Sequence, residues 1–147
     1  MKYIGIDPDN RKSGVAVYDT DEERYRLFNL SFFDLFDYIT EHKESIKEVA
    51  VEAGWMNKKS NWHGSKNVRT SAKVGKNVGM NHQTGRLICE MLEYLSINYV
   101  KIVPHSAKWD NEFIQRWFKG STNEEQRDAL KMCVYIVPEK IGSNLTK

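Results

Sequence analysis

The chain has 147 residues, 40% hydrophobic and 29% charged, which predicts one folded domain over residues 1–147 with a loose tail from about residue 138. No apolar run reaches the roughly 18–20 residues of a membrane-spanning helix, and the N-terminus has a strand pattern instead of a signal-peptide pattern. Both observations predict a cytoplasmic protein with no membrane partner. Cys89 and Cys133 lack a CxxC spacing and the four His are scattered, which argues against disulfides and a zinc site.

The N-terminal segment predicts a β-hairpin whose first strand ends in an acid. The apolar residues 3–6 and 15–18 flank a polar loop that contains Pro8 and ends at Gly14, where the chain returns to the sheet. Asp7 stands where the first apolar strand ends, and a carboxylate is costly there unless a cation or a hydrogen-bond donor meets it. The alternative is that Asp7 only bonds its own backbone in a turn.

The rest of the chain alternates between strand and helix patterns. Ser31 is a suitable N-cap for the first predicted helix. A short apolar run predicts a buried strand that ends in Glu52, a second acid at a strand end. The predicted elements after the hairpin are a strand over 24–30, a helix over 32–42, a strand over 49–51, a helix over about 70–96 that is continuous or broken near 84–85, a strand over 98–103, and helices over 108–118 and about 123–137.

This order of elements predicts an α/β fold class. Three meandering strands followed by helix, strand, long helix, strand and two helices describe a ribonuclease H-like architecture. Its five-stranded mixed sheet has three antiparallel strands and then parallel strands, and helices flank the sheet. The first and fourth strands are neighbours in such a sheet, so we expect Asp7 and Glu52 to lie side by side.

The acids at these strand ends predict a site for divalent metal ions. Hydrolysis of a phosphodiester by two metal ions needs carboxylates that hold the ions roughly 3.5–4 Å apart, and Mg²⁺ or Mn²⁺ prefers such oxygen ligands. A third acid is expected from the last helix, where Glu124, Glu125 and Asp128 share faces at three- and four-residue spacing. Two alternatives stay open: Glu125 would complete a capping box with Thr122, or Asp128 would form a surface ion pair with Lys131.

The net charge of +2 hides an uneven distribution. Residues 1–52 carry 12 acids against 7 bases, whereas residues 53–89 contain no acid, which predicts a surface for a polyanion. Trp55 and Trp62 are candidates for stacking on an exposed base, with ordinary packing as the alternative. Gly75 and Gly79 would admit either the DNA backbone or a partner helix. The predicted DNA-binding set consists of these two tryptophans and the bases Lys58, Lys59, Lys66, Arg69, Lys73, Lys76 and Arg86.

Taken together, the motifs resemble the RuvC-type Holliday junction resolvases of the ribonuclease H-like superfamily. The resemblance covers about residues 2–134 and rests on the opening Ile4-Gly5-Ile6-Asp7-Pro8 followed by Gly14, the strand that ends in Glu52, the segment 71–79, Val103-Pro104, and Glu125-x-x-Asp128-Ala129-Leu130. Two residues depart from the family pattern. Asp9 replaces a glycine after the proline, and Glu125 replaces the first Asp of the closing acid pair.

The resemblance implies a homodimeric endodeoxyribonuclease with two Mg²⁺ or Mn²⁺ ions per active site, acting in DNA recombination or repair in a bacterial or virus-infected cell. Such enzymes cut four-way DNA junctions by paired symmetric nicks, leaving 5′-phosphate and 3′-hydroxyl ends. The implied catalytic and metal-binding residues are Asp7, Glu52, Glu125 and Asp128, with the choice between Glu124 and Glu125 open. The alternatives are a ribonuclease H-like nuclease that acts on RNA or RNA–DNA hybrid, and a nucleic-acid-binding module without catalysis.

Overall fold

The computed structural model describes residues 1–57, 68–104 and 107–139. Three short 3-10 turns accompany the regular elements, over Lys43–Ser45, Gly54–Met56 and Phe113–Arg116. No helix within the described ranges is both long and apolar enough to span a membrane. In chain order the strands and α-helices are β1 (Lys2–Asp7), β2 (Ser13–Asp19), β3 (Arg24–Leu30), α1 (Phe32–His42), β4 (Ile46–Glu52), α2 (Val68–Tyr94), β5 (Tyr99–Ile102) and α3 (Glu124–Ile136).

The strands form one mixed sheet in the order β3-β2-β1-β4-β5. The first three strands are antiparallel neighbours, and β4 and β5 run parallel to β1. The predicted five-stranded mixed sheet is therefore confirmed. Because β1 and β4 are parallel neighbours, their carboxyl ends meet at the same end of the sheet.

Alternating side chains of the central strands build one core on each face of the sheet. On one face, Ile4 and Ile6 of β1 are fully buried beneath α1 and α2. On the other face, Tyr3 of β1 and Tyr18 of β2 pack against α3. Burying one such aliphatic side chain contributes about 1.5–3 kcal/mol, so the two cores hold the strand ends in fixed positions.

Two glycines let α3 lie directly on the sheet. A Cβ at Gly5 would overlap the backbone of Ala129, and a Cβ at Gly14 would overlap the carbonyl oxygen of Glu125. Both glycines face α3 from neighbouring strands, Gly5 in β1 and Gly14 in β2. Gly14 therefore does more than return the chain to the sheet, because its missing side chain makes room for the first turn of α3.

The helix boundaries follow their caps. The predicted N-cap Ser31 is confirmed, since its side chain accepts a hydrogen bond from the backbone N–H of Asp34. The capping box predicted from Thr122 and Glu125 is wrong by one residue, because Asn123 and Gln126 form it instead. The carboxylate of Glu125 therefore does not serve this capping box. The helix α2 is continuous through residues 84–85.

The helix predicted over residues 108–118 is wrong: only the 3-10 turn Phe113–Arg116 forms there. Side chains of α3 take the carbonyl groups that would begin an α-helix. The Lys131 ammonium donates to the carbonyl oxygen of Ala107 at 2.6 Å, and the Arg127 guanidinium donates to that of Trp109 at 3.0 Å. Residues 107–112 therefore lie against α3 as an irregular segment with a turn, and the rings predicted at helical spacing still cluster.

Candidate metal centre

Three carboxylates converge at the carboxyl ends of β1 and β4. Asp7 is the last residue of β1, Glu52 is the last residue of β4, and Asp128 lies on the sheet-facing side of α3. One oxygen of each carboxylate lies within 4.8 Å of the others. Asp128 is buried, and Asp7 and Glu52 are partly buried. The structure therefore brings together three of the four acids that the sequence predicted.

Burial and mutual repulsion disfavour the ionised forms of Asp7 and Glu52. Burial is the largest cause that raises the pKa of Asp7 to about 9, and the charges of Glu52 and Asp128 raise it further. Burial and the charge of Asp128 also raise the pKa of Glu52. The Glu52 Oε2 atom is buried and has no hydrogen-bond partner among the residues that the structure describes. Keeping Asp7 and Glu52 ionised beside Asp128 therefore requires a nearby cation.

Lys108 is the cation in direct contact with the cluster. Its ammonium lies 2.6 Å from an oxygen of Asp128 and 3.2 Å from an oxygen of Glu124. Burial lowers the pKa of Lys108, but the hydrogen bonds and charges of these two carboxylates outweigh it and raise the pKa above the usual value. Asp128 thus pairs with Lys108, and the alternative ion pair between Asp128 and Lys131 does not form. Lys131 is buried and donates to the carbonyl oxygen of Ala107 instead.

The donor set fits Mg²⁺ or Mn²⁺. Carboxylate oxygens are the ligands that these hard cations prefer, and the cluster contains no His or Cys. The Oε2 atom of Glu52, which is buried and has no hydrogen-bond partner among the described residues, is a candidate ligand atom for such a cation. Lys108 touches only the Asp128 side of the cluster, so the Asp7–Glu52 side is left for a metal ion.

Glu124 and Glu125 lie at the mouth of the site. Together with the cluster and Lys108 they line a polar cleft of about 230 Å³. Glu125 is partly buried, and it is not one of the three carboxylates that meet within 4.8 Å. Glu124 is exposed and pairs with Lys108. Glu125 therefore stays the predicted fourth ligand. Glu124 is less favoured for this role, because its carboxylate already pairs with Lys108.

The loop after Asp7 is fixed by its own side chains and by α2. The Asp9 carboxylate accepts the backbone N–H groups of Arg11 and Lys12 at 2.9 and 3.3 Å, so this departure from the family pattern serves the loop. The backbone N–H of Asn10 donates to Asn81 Oδ1 at 2.8 Å. Asn81 also lines the polar cleft, and it therefore ties α2 to the loop that carries the site.

Trp55 lies beside the cluster as a packing residue. Its ring contacts the backbone of α2 at Gly85, where a Cβ would overlap it, and it packs against the core beneath α1 and α2. The Arg86 guanidinium lies 5.9 Å from the ring centroid, and the His82 ring lies 6.5 Å from it. Trp55 and His82 line a second cleft of about 150 Å³ that also reaches Asp7 and Glu52. Packing and contact with a bound base are both compatible with this position.

The other predicted DNA-binding residues fall into two groups. Arg69, Lys73 and Lys76 are exposed in the N-terminal half of α2, and Arg86 is exposed in its middle. The predicted residues Lys58, Lys59, Lys66 and Trp62 lie outside the described residues. Arg86 contacts Trp55, which lines the second cleft.

Sequence reasoning missed Lys108 and Asn81. The sequence pattern predicts a helix around Lys108, whereas the residue pairs with Asp128 from an irregular segment over residues 107–112. One signal for Lys108 is available in the sequence. It follows soon after β5, whose carboxyl end lies at the same end of the sheet as Asp7 and Glu52. Asn81 sits in a polar stretch of α2 that gives no comparable signal.

Comparisons with known proteins support the fold. No protein-family model matches the sequence, and no curated protein is similar to it at a significant level. Among solved structures, the chain is similar to T. thermophilus RuvC in complex with Holliday junction substrate, with a TM-score of 0.50 and 14% identity. The similarity covers 99% of this chain and 96% of that one. The expected ribonuclease H-like fold is thereby confirmed in its RuvC-like form, and at this identity the likeness concerns the fold alone.

Proposed function

We propose that this protein is a divalent-metal-dependent endonuclease that resolves four-way DNA junctions, leaving 5′-phosphate and 3′-hydroxyl ends. The observation that carries the proposal is the convergence of Asp7, Glu52 and Asp128 within 4.8 Å at the bottom of an open polar cleft. A rigid sheet and a closely packed helix hold these acids, as metal-assisted hydrolysis requires. The RuvC-like fold supports the choice of a nuclease.

The acids would hold Mg²⁺ or Mn²⁺, with two ions per site and Glu125 as the fourth ligand. When bound, the metal would stabilise the negative charge that develops on the oxygens of the scissile phosphate. Asp7 lies within 4.8 Å of Glu52 from the adjacent strand and of Asp128 from the overlying helix, so it would hold the metal together with them. Its position at the end of a paired strand limits its movement during the reaction.

Lys108 acts as a fixed positive charge at the edge of the cluster. Its raised pKa keeps the ammonium protonated at neutral pH, which excludes it as a general base. The same ammonium donates a hydrogen bond to Asp128 and holds its carboxylate in place. Because the Lys108 side chain is more than half exposed, its ammonium is also accessible to a phosphate that enters the cleft.

The choice of branched DNA as substrate rests on three observations. The exposed basic residues Arg69, Lys73 and Lys76 on α2 would contact DNA phosphates without reading the base sequence. The cleft is open enough to receive a phosphate of a duplex arm. The RuvC of similar fold was solved with a Holliday junction substrate. Paired nicks at a four-way junction need two sites, so we include a homodimer in the proposal, together with a cytoplasmic role in DNA recombination or repair.

A cleavage assay tests the activity and the substrate together. Labelled four-way junction, linear duplex, RNA–DNA hybrid and single-stranded RNA are incubated with the protein in Mg²⁺, Mn²⁺ or EDTA. We expect symmetric nicks in the junction with either metal and none in EDTA. Asp7→Asn should lower the rate at least about 100-fold, whereas Asp37→Asn, an exposed acid on α1, should leave it unchanged.

The other outcomes assign the alternatives. Cleavage of hybrid or RNA alone would replace the junction resolvase by a ribonuclease. Tight binding of DNA without cleavage in either metal would leave a nucleic-acid-binding module. Equal cleavage by the wild type and by Asp7→Asn would contradict the assignment of the three-carboxylate cluster as the active site.

A further inference from the structure

A cluster of aromatic rings and one arginine lies on the α3 side of the molecule, outside the metal centre. We define it as the aromatic patch, formed by Trp109, Phe113, Arg116, Trp117 and Tyr135. The rings of Trp109 and Trp117 are stacked, with centroids 4.8 Å apart and planes within 6°. Phe113 lies 5.1 Å from Trp109, and Tyr135 meets the Trp109 ring edge-on at 6.3 Å.

Packing accounts for only part of this patch. Trp109 and Trp117 cover the second core, and Ile114 fills it, so these side chains have a structural role. Phe113 and Tyr135, in contrast, are 39% and 47% exposed. Exposed aromatic surface next to stacked rings is the arrangement that proteins use as a platform for nucleobases.

Arg116 gives the patch a positive charge. Its guanidinium lies 4.5 Å from the Phe113 ring centroid and 5.4 Å from that of Trp117. No carboxylate among the described residues forms an ion pair with Arg116. Glu112, the nearest acid in sequence, is exposed, and Asp110 uses its carboxylate to accept the backbone N–H of Phe113 at 2.8 Å. The guanidinium is therefore held over aromatic faces and available to a phosphate.

The patch is continuous with the metal centre. Trp109 directly follows Lys108, whose ammonium contacts Asp128 of the carboxylate cluster. Lys131, one turn after Asp128 on α3, places its ammonium 5.8 Å from the Trp109 ring centroid. A polynucleotide that leaves the cleft past Lys108 would thus next meet Trp109 of the aromatic patch.

From these contacts we propose that the aromatic patch binds unpaired nucleotides of a DNA strand, stacking their bases on its rings and pairing a phosphate with Arg116. The inference rests on the proposed function only in taking DNA as the substrate. Bases are free to stack only where a strand is unpaired, as at an opened branch point, so the patch would favour such DNA over a continuous duplex.

The test measures binding in EDTA, so that cleavage plays no part. A fluorescein-labelled 20-nucleotide oligo-dT strand and a 20-base-pair duplex are titrated with protein, and anisotropy gives both dissociation constants. Phe113→Ala/Arg116→Ala should weaken binding of the single strand by at least about fivefold and change duplex binding by less than twofold. The matched control Arg24→Ala/Phe33→Ala removes an exposed arginine and an exposed phenylalanine outside the patch, and should change neither.

A second readout follows the patch directly. Trp55→Phe/Trp62→Phe leaves Trp109 and Trp117 as the remaining tryptophans of the four in the chain. We expect oligo-dT to quench their fluorescence with the same dissociation constant as the anisotropy change measured on this same variant. Single-strand binding that Phe113→Ala/Arg116→Ala leaves unchanged, an equal loss for duplex and single strand, or a wild type that does not bind oligo-dT would each overturn the proposal, whether or not the protein cleaves junctions.

Discussion

Asp7 is the residue at which binding of metal and stability of the fold conflict. One of its carboxylate oxygens lies within 4.8 Å of oxygens of Glu52 and Asp128. Burial is the largest cause that raises its pKa to about 9. Without a cation, Asp7 must take up a proton at neutral pH to be buried beside the other two carboxylates, and this requirement opposes folding. With a divalent cation, the same three groups gain ligand contacts. The unfavourable arrangement of charges is therefore a cost that the fold carries for its site.

Asp7→Asn should therefore stabilise the protein when metal is absent. Asparagine is neutral without taking up a proton, so its burial avoids this cost, and the melting temperature in EDTA at neutral pH should rise by about 2–4 °C for each kcal/mol relieved. Addition of Mg²⁺ should raise the melting temperature of the wild type and leave that of Asp7→Asn nearly unchanged. Thermal unfolding with and without Mg²⁺ measures both effects. Asp37→Asn is the control. An equal effect of Mg²⁺ on the melting temperatures of Asp7→Asn and Asp37→Asn would contradict the assignment of Asp7 as a metal ligand.

Residues of the site differ in how well the sequence predicts them. Asp7 and Glu52 are predictable because each ends an apolar strand, where a carboxylate needs a partner. Asp128 is predictable because it precedes the apolar pair Ala129-Leu130 on the core side of α3. The contact of Lys108 with Asp128 is not predictable, because it comes from an irregular segment whose aromatic residues have the spacing of a helix.

At the scale of elements, the site depends on how closely α3 lies on the sheet. Asp128 reaches Asp7 only because Gly5 and Gly14 present no side chain to the backbone of α3. The sequence predicts the sheet, whose strands have strong patterns, and the helix, whose cap lies within one residue of the predicted one. It does not predict their separation, because a glycine in a strand also suits a bulge or a turn.

Gly14→Ala should therefore disturb both the fold and the site. Its new methyl group would overlap the carbonyl oxygen of Glu125 and move the first turns of α3, which carry Asp128. We expect the free energy of unfolding to fall by about 1–3 kcal/mol and the cleavage rate to fall with it. Gly79→Ala is the matched control, because its Cβ would meet nothing within 4 Å in α2. Urea unfolding should show that variant unchanged or stabilised by up to about 1 kcal/mol.

A cross-strand ion pair closes the opposite end of the hairpin. Lys2 of β1 faces Asp19 of β2, and its ammonium donates to that carboxylate. The hydrogen bond from Lys2 is the main cause that lowers the pKa of Asp19 from 3.8 to about 2. Because the pKa is lower in the folded state, the pair stabilises the fold above pH 3.8, and this contribution is lost as the pH falls toward 2.

Asp19→Asn should accordingly matter at neutral pH and not in acid. We expect it to lower the free energy of unfolding by on the order of 1–2 kcal/mol at pH 7, as measured in urea. The difference from the wild type should shrink below pH 4 and vanish near pH 2. Asp21→Asn, at an exposed position in the next turn, should show no comparable effect. A difference that persists at pH 2 would mean that packing, not charge, stabilises this end of the hairpin.

Over the whole molecule, the metal centre lies where the two cores meet at one end of the sheet. The first core fixes β1, β4 and α2, and the second fixes α3 and the segment that carries Lys108. The strand order and the fold class are predictable from the sequence because each strand is apolar and the helices alternate with them. The surfaces that would meet DNA or another protomer are less predictable, because exposure of a side chain depends on the packing of its whole element.

One such surface is a line of apolar side chains on α2. Met80, Leu87 and Tyr94 are 41%, 42% and 82% exposed. Their spacing of seven residues puts them in one row along the helix, the pattern by which helices of two protomers pack together. Since paired nicks require two active sites held in fixed relation, this row is the surface through which we expect the homodimer to form.

Leu87→Lys should therefore separate dimer formation from chemistry. The side chain is already partly exposed, so the fold should tolerate lysine, while a charge in the row should oppose association of two copies. Sedimentation at micromolar concentration should show a dimer for the wild type and a monomer for the variant. On a plasmid that extrudes a four-way junction, the wild type should yield linear product by paired nicking, and the variant mainly nicked circles. Phe33→Lys, which changes a 76% exposed residue on α1, is the control for added charge. A Leu87→Lys variant that remains dimeric would exclude this face of α2 as the interface.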